Sequence, residues 1–239
     1  MIADGRFALV KTTLLDFPGR VAAAVFLPGC HLRCPYCHNP DFVEPARFNL
    51  PGVLGCTIED FEVFLKKRRN VLGGVVFSGG EALLHPLLPE LIGLVNSCAL
   101  GVKLDTAGLL PQKLENVLNS FKIDYVAMDL KTSPHRYEEL GWKVNDGTTV
   151  GELWDRGLKT LEDAEVDFEV RTTMVPGLVD YGVLEELRTW AERADLWAWQ
   201  SYGPGDTLNP EWSSLSAKDE EHIRKWITRL KSNVRIVIR

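Results

Sequence analysis

What is missing from the sequence narrows it first. None of its 239 residues falls in a run of the roughly 18 apolar residues that a membrane-spanning helix needs. The stretch Val21–Leu27 is too short, and acidic Asp16 with the turn residues Pro18 and Gly19 stands ahead of it, which is not how a secretory leader begins. The expected setting is cytoplasmic, with no membrane partner. Positive charge is not in excess either: 27 Lys and Arg stand against 33 Asp and Glu, a formal net charge of −6. Nucleic acid and anionic bilayers both draw on basic surfaces, so neither is an expected partner. There is no Gly-x4-Gly-Lys-Ser/Thr loop, no Gly-x-Gly-x2-Gly turn and no His-Glu-x2-His helix, which sets aside the nucleotide and zinc-protease chemistry those motifs carry. Repeats, low-complexity tracts and long linkers are absent. Cysteine is scarce, five in all, an odd number. In a cytoplasmic chain such cysteines point to metal or redox chemistry, not to a disulfide framework.

What is present is alternation. Apolar, strand-like runs occur at Val21–Leu27, Gly74–Ser78, Val102–Asp105, Asp124–Leu130, Val166–Thr173, Leu196–Gln200 and Val234–Ile238. Between them, helical spacing covers Thr57–Arg69, Pro86–Cys98, Pro111–Phe121, Val150–Ala164, Tyr181–Arg193 and Ala217–Lys231. Thr57 with Asp60 makes a capping-box start for the first of these helices. Strands apolar on both faces, separated by helices, mean parallel β-structure covered on its faces. The expected class is α/β, a partial (β/α)6 TIM-like barrel. A single domain over 1–239 is expected, with a core at about 20–205, an N-terminal strand segment and a C-terminal helix-strand extension. In such a fold, polar residues at C-terminal strand ends are the site candidates. The seven tryptophans read as packing between strands and helices, since a stacking platform for nucleotides would sit in a basic field.

Three of the cysteines lie together directly after the first of those runs, in Pro28-Gly29-Cys30-His31-Leu32-Arg33-Cys34-Pro35-Tyr36-Cys37-His38-Asn39. A tight loop, helped by Gly29 and Pro35, can aim three thiolates at one point. Three thiolates suit three corners of a [4Fe–4S] cluster and leave the fourth iron open to a substrate. Spacing alone also permits zinc on the three cysteines with His31 or His38, or an incidental pair of buried thiols. Cys56 and Cys98 stand singly and read as buried free cysteines acting as small hydrophobes. His85, between Leu84 and Pro86, reads as a loop or helix-cap histidine.

Cys30-x3-Cys34-x-Tyr36-Cys37, followed one strand later by Gly79-Gly80-Glu81, resembles the radical SAM superfamily. The likeness runs on through Leu15-Asp16-Phe17-Pro18-Gly19-Arg20, Cys37-His38-Asn39-Pro40, Asp105-Thr106-x-Gly108 and Asp129-Leu130-Lys131. These resemble the glycyl-radical-enzyme activases, most of all the longer anaerobic ribonucleoside-triphosphate reductase activating proteins. The resemblance covers most of residues 6 to 205 and makes the fold a radical SAM barrel. It implies one [4Fe–4S] cluster on Cys30, Cys34 and Cys37, whose open iron takes the amino and carboxylate groups of S-adenosylmethionine (SAM). A reduced flavodoxin or ferredoxin would supply an electron. Cleavage of the sulfur–C5′ bond would give methionine and a 5′-deoxyadenosyl radical, which would take a Cα hydrogen from a glycine of a partner enzyme, the anaerobic ribonucleotide reductase catalytic subunit.

The resemblance also assigns positions. Gly79 and Gly80 would let backbone approach SAM at its amino group, with Glu81 steadying that loop. Asp105, Thr106 and Asp129 would surround the amino group and ribose. Lys131, counted with the cysteines as catalytic, would meet the carboxylate, and Arg171 would assist. Tyr36 would stack on the adenine or offer it backbone. A monovalent cation would sit beside Asp105, Thr106, the Ala127 carbonyl and Asp129. Strand alternation agrees in part: Ala127, Asp129 and Lys131 share one face, as do Glu169, Arg171 and Thr173 on the next strand and Ala198 and Gln200 on the one after. A purely structural account would pair Asp129, Lys131 and Arg171 with Glu169 and with one another. Two departures separate the chain from the pyruvate formate-lyase activases, which read Asp-Gly-Pro-Gly at Asp16–Gly19 and place a histidine near the last barrel strand, where this chain has Gln200. The alternatives are a pyruvate formate-lyase-type activase, a small-molecule enzyme like carboxy-deazaguanine synthase, and a non-enzymatic zinc module.

Overall fold

The computed structural model describes residues 6–44, 55–143, 146–215 and 220–239. It has the expected α/β class. The strands are β1 (Ala8–Thr13), β2 (Ala22–Leu27), β3 (Gly74–Gly79), β4 (Gly101–Thr106), β5 (Tyr125–Asp129), β6 (Asp167–Thr173), β7 (Leu196–Gln200) and β8 (Arg235–Ile238). The helices are a single turn α1 (Pro40–Val43), then α2 (Ile58–Arg68), α3 (Leu88–Ser97), α4 (Pro111–Ser120), α5 (Val150–Asp163), α6 (Tyr181–Ala191) and α7 (Glu220–Leu230). One eight-stranded sheet carries the strands in chain order. From β2 to β7 each strand is followed by a helix, the six strand–helix units that the alternation predicts. The chain forms two compact units, the first of residues 1–31, 39–106 and 112–126, the second of residues 32–38, 107–111 and 127–239.

In the first unit β2 is the middle of the packing. It pairs parallel with β3, which pairs parallel with β4, and antiparallel with β1, whose middle residues Val10, Lys11 and Thr12 are exposed. The small side chains of Ala22 and Ala24 leave room for Phe17, which is buried against them and Val76. The Arg20 guanidinium lies 4.6 Å from the Phe17 ring centroid and reaches Asp124 at 3.3 Å. The capping box of α2 forms as expected: Thr57 Oγ1 accepts from the Asp60 amide at 3.2 Å, and Asp60 accepts from the Thr57 amide. α3 starts at Leu88 rather than Pro86, because a 3-10 turn, Ala82–Leu84, comes first and the Leu87 amide donates to His85 Nδ1 at 3.3 Å. Burial holds that imidazole's pKa down at about 4. Cys56 and Cys98 correct the sequence reading, since both are half-buried rather than buried. The Cys56 backbone bridges to Phe7, and partial burial pushes its thiol up to about 11.

In the second unit β6, β7 and β8 pair parallel in order. Trp154, Trp197 and Trp199 are fully buried, the packing role that the acidic composition implied. Trp197 and Trp199 stand on one face of β7 and meet edge to face at 5.3 Å, with Trp197 Nε1 donating to Thr172 Oγ1 at 3.0 Å. Trp154 lies 5.2 Å from both the Tyr137 and Trp190 rings, and its Nε1 donates to the Ala107 carbonyl at 3.3 Å. A second capping box, Thr149 with Glu152, opens α5. The first three residues of the helix expected over Ala217–Lys231 lie outside the described residues.

Candidate active site

In the first unit the loops after β2 and β3 are stitched together by their backbones. Gly29, at φ +101°, turns the chain toward Cys30. Its amide donates to the Phe42 carbonyl at 2.7 Å, and its own carbonyl accepts from the Glu81 amide at 2.8 Å. The Gly80 amide donates to the Leu27 carbonyl at 2.9 Å, and Asn39 Nδ2 donates to the Gly79 carbonyl at 3.4 Å. Gly79 sits at φ +112°, where side chains are strained, and a Cβ on it would lie 2.6 Å from the Leu27 carbonyl oxygen. A Cβ on Gly80 would lie 2.8 Å from the Phe42 oxygen and nearer still to that of Gly29. Neither neighbour is a flexible tip; both are backbone. Glu81 is buried, and its Oε1 accepts from the Leu83 amide at 3.3 Å, so this carboxylate caps the turn after β3.

These contacts make a direct prediction. Gly80→Ala must push the cysteine-bearing loop aside, at about 1–3 kcal/mol by the usual cost of overpacking. The expected result is a lower unfolding midpoint in urea together with weaker iron retention after anaerobic reconstitution. Wild-type stability and iron content in this variant would show that the loop can yield.

Farther along the first unit, β4 brings Lys103 and Asp105 together, with Lys103 Nζ 2.5 Å from Asp105 Oδ1. Thr106 next to them is buried. Lys103 escaped the sequence analysis. The available signal was a lone lysine two residues before Asp105 in an otherwise apolar strand.

In the second unit the rest of the cysteine loop is braced by the segment after β7. The Cys37 amide donates to the Cys34 carbonyl at 3.1 Å, closing a tight turn. The Leu208 amide donates to the Cys37 carbonyl at 3.2 Å and the Asn209 amide to that of Pro35 at 2.9 Å. His38 stacks on Tyr202 at 5.0 Å and 9°. The Tyr36 ring is buried between Tyr202 and Trp212, with centroids 6.2 and 6.3 Å away. Tyr202 in turn donates its hydroxyl to the Trp212 carbonyl at 2.9 Å. No motif announced this brace, because it joins residues about 170 positions apart by backbone groups that every residue carries.

Asp129 at the end of β5, Lys131 two residues beyond it and Arg171 of β6 form a triad in the same unit. Arg171 holds Asp129 with a fork, Nε to Oδ1 at 2.7 Å and Nη2 to Oδ2 at 3.2 Å, and Lys131 Nζ lies 3.3 Å from Oδ2. The Lys131 amide donates to the Tyr137 hydroxyl at 3.0 Å. Burial alone would raise the Asp129 pKa, but the charges and hydrogen bonds of Arg171 and Lys131 outweigh it and hold the carboxyl well below its usual range. Burial works against the Lys131 ammonium too, and the Asp129 charge overcomes it, lifting that pKa. Glu169, which shares the face of Arg171 on β6, forms a two-pronged pair with Arg239 at 2.8 and 3.0 Å. Gln200 Oε1 accepts from Thr173 Oγ1 at 3.4 Å. Gly108, at φ +72°, packs where a Cβ would strike Met128.

Cys34 is buried, while Cys30 and Cys37 are half-buried thiols outside any disulfide. Among the described residues no group of three His, Cys, Asp or Glu side chains is placed to hold a metal ion. In a cubane each thiolate bonds its own iron. The Tyr36 hydroxyl is buried within the field of Cys34 and Lys131 and has no hydrogen-bond partner. Soft thiols on one short loop and an unmet polar atom next to it are the surroundings that an iron–sulfur cluster and a polar ligand would fill.

Residues 24–189 match the Radical SAM superfamily. A Methanocaldococcus jannaschii protein named as a glycyl-radical enzyme activating enzyme is 30% identical over 218 residues, which cover 91% of this chain and 88% of that one. The pyruvate formate-lyase-activating enzyme of Clostridium pasteurianum is 30% identical over 230 residues, 89% and 90% of the two chains. A radical SAM methyltransferase structure from Sphaerobacter thermophilus superimposes with a TM-score of 0.69 over 98% of this chain and 77% of its own. Its identity is 14%, so that likeness speaks for the fold alone.

Proposed function

The chain belongs to the radical SAM superfamily and, within it, to the glycyl-radical-enzyme activases, and from that premise we propose that it makes a glycyl radical on an anaerobic ribonucleoside-triphosphate reductase. Superfamily chemistry uses a [4Fe–4S] cluster and SAM; the cluster, when bound, supplies the electron that splits the SAM sulfur–C5′ bond into methionine and the 5′-deoxyadenosyl radical that takes a glycine Cα hydrogen. In this reading Cys30, Cys34 and Cys37 hold the cluster. Gly79 and Gly80 present backbone to the SAM amino group, on a loop that Glu81 steadies. Asp105, Thr106 and Asp129 take the amino group and ribose, and Lys131 takes the carboxylate. Tyr36 offers backbone to the adenine, its ring being buried against Tyr202 and Trp212. Gln200 ends β7, near where the pyruvate formate-lyase activases place a histidine. A reduced flavodoxin or ferredoxin is the electron donor.

The observation that carries the proposal is the triad. The methionyl end of SAM is a zwitterion. Asp129 and Lys131 side chains are each about a quarter exposed, at 23% and 22%, and stand side by side with opposite sign. Arg171, more deeply set at 13% exposed, keeps Asp129 ionised and fixed by its fork. Such a pair orients an incoming amino acid without reorganising, offering an opposite charge to each of its two charged groups.

The choice of reductase over pyruvate formate-lyase is supported by Phe17. In Asp16-Phe17-Pro18-Gly19 this ring is 3% exposed and fills the space over Ala22, Ala24 and Val76. A glycine there, as in the lyase activases, would leave that space empty, so the departure from Asp-Gly-Pro-Gly is built into the packing. The test is anoxic. Reduced holoprotein and SAM are mixed with the reductase catalytic subunit or with pyruvate formate-lyase and followed by electron paramagnetic resonance. The expected result is a doublet radical on the reductase that disappears when its target glycine is changed to Ala. A doublet on the lyase alone would move the assignment to that partner, and SAM turnover with neither would turn it to a small-molecule substrate.

A further inference from the structure

On β4 the pleat sets Lys103 and Asp105 on one face, with Val102 and Leu104 on the other. Lys103 is nearly sealed from water, its side chain 2% exposed against 13% for Asp105. In register it lies beside Val76 of β3, which lies beside Ala24 of β2. Ala24 and Val76 belong to the apolar cluster with Phe17 and Ala22. An ammonium taken from water to the end of such a row is costly unless an anion meets it. Asp105 is that anion, and the short contact commits one carboxylate oxygen to Lys103.

The resemblance to the activases asks Asp105 and Asp129 to share a monovalent metal ion, and the donors found here do not suit one. Asp105 is met by Lys103 within the first unit. Asp129 is met by Arg171 and Lys131 within the second. A K⁺ or Na⁺ beside Asp105 would have to displace the ammonium or sit against it, like charge to like charge, with little water to screen them. The ammonium differs from such an ion in being tethered and in pointing its N–H bonds, so it sets the orientation of Asp105 as well as its charge balance.

We propose that Lys103 supplies from within the chain the positive charge beside Asp105, so that no monovalent metal ion is taken up there and Lys103 acts as a positioning residue for SAM. The inference rests on the reading of Asp105 as a SAM-site residue. It is tested on the anaerobically reconstituted holoprotein with its cluster oxidised, so that SAM binds without turning over. SAM affinity is measured by equilibrium dialysis in potassium, sodium and tetramethylammonium chloride at equal ionic strength. The wild type should vary less than twofold among the three salts. Lys103→Met should bind SAM roughly tenfold more weakly in tetramethylammonium, with potassium or sodium restoring much of the loss. Dialysis against Tl⁺, a potassium surrogate, should show no stoichiometric site in the wild type. If Lys103→Met fails to fold, the wild-type salt series and the Tl⁺ measurement decide alone. A saturable rise of twofold or more in wild-type affinity with K⁺ or Na⁺, or one Tl⁺ bound per chain, overturns the inference. Absence of SAM binding in every salt overturns the SAM-site reading with it, and that outcome is distinct from cation dependence.

Discussion

Cys34→Ala, reconstituted anaerobically with iron and sulfide, should retain little iron and should not cleave SAM, where the wild type should carry about four irons per chain. Of the three cysteines of the loop Cys34 is the buried one. Its carbonyl closes the turn to Cys37, which is itself held by the Leu208 amide. The backbone of the loop is therefore braced independently of any thiol, and the variant should fold while losing its metal chemistry. Cys30→Ala and Cys37→Ala should behave alike, because a cubane with two protein ligands is far more easily lost than one with three. Cys56→Ala and Cys98→Ala are the controls. Each sits alone, at a β-bridge and at the end of α3 respectively, and each should leave iron content and SAM cleavage unchanged. The measurements are iron per chain, the brown absorbance, and methionine released on reduction. A fully active Cys34→Ala would remove the cluster from the account.

The second large effect is expected at Asp129. Asp129→Ala removes the carboxylate that the Arg171 guanidinium and the Lys131 ammonium both meet at a largely buried position, and breaking such a pair by removing one partner costs about 3–5 kcal/mol. SAM affinity should fall about tenfold to a hundredfold, the range for a lost charged hydrogen bond. Iron content should hold, since the cysteine loop is braced elsewhere. Lys131→Ala should share the loss of affinity with a smaller loss of stability, because Arg171 still satisfies Asp129. Acid should reveal the same interaction. The folded-state pKa of Asp129 is depressed, so its contribution is complete above the unfolded value of about 3.9 and is lost as pH falls below it toward the folded value. Wild type and Asp129→Ala should therefore converge in stability as pH drops below about 4, and urea midpoints from pH 6 to pH 3 would follow that convergence. Unchanged stability and SAM affinity in Asp129→Ala at neutral pH would leave the triad without either role.

The sequence carried the fold class because alternation is local. Six strand–helix units follow from runs such as Val21–Leu27 and from caps such as Thr57 with Asp60, each set by neighbours a few residues away. β1 is less legible: its exposed, half-polar residues form an antiparallel edge, and only a general N-terminal strand segment was readable. The motifs were legible for the same reason, since the three cysteines and Gly79-Gly80-Glu81 each lie within a few residues of one another.

Partner choice is a different matter. Shared parity puts Glu169 on the face of Arg171 on β6, but it does not name the partners that the fold supplies, Arg239 for Glu169 and Arg171 with Lys131 for Asp129. Alternation reports which face a side chain occupies; it does not report which of several opposite charges lies at bonding distance. The brace of Tyr202, Leu208, Asn209 and Trp212 on the cysteine loop was silent in the sequence, because it is made of backbone amides and ring contacts over long separations. Lys103 gave only the faint signal of a lone lysine in an apolar strand, and its burial had to come from the fold. The sequence by itself determined the order of strands and helices, the thiols and the charges available, all consequences of local geometry and residue chemistry. The tertiary structure decided which charges neutralise which, and which backbone holds the loop, because those depend on distances that only the folded chain sets.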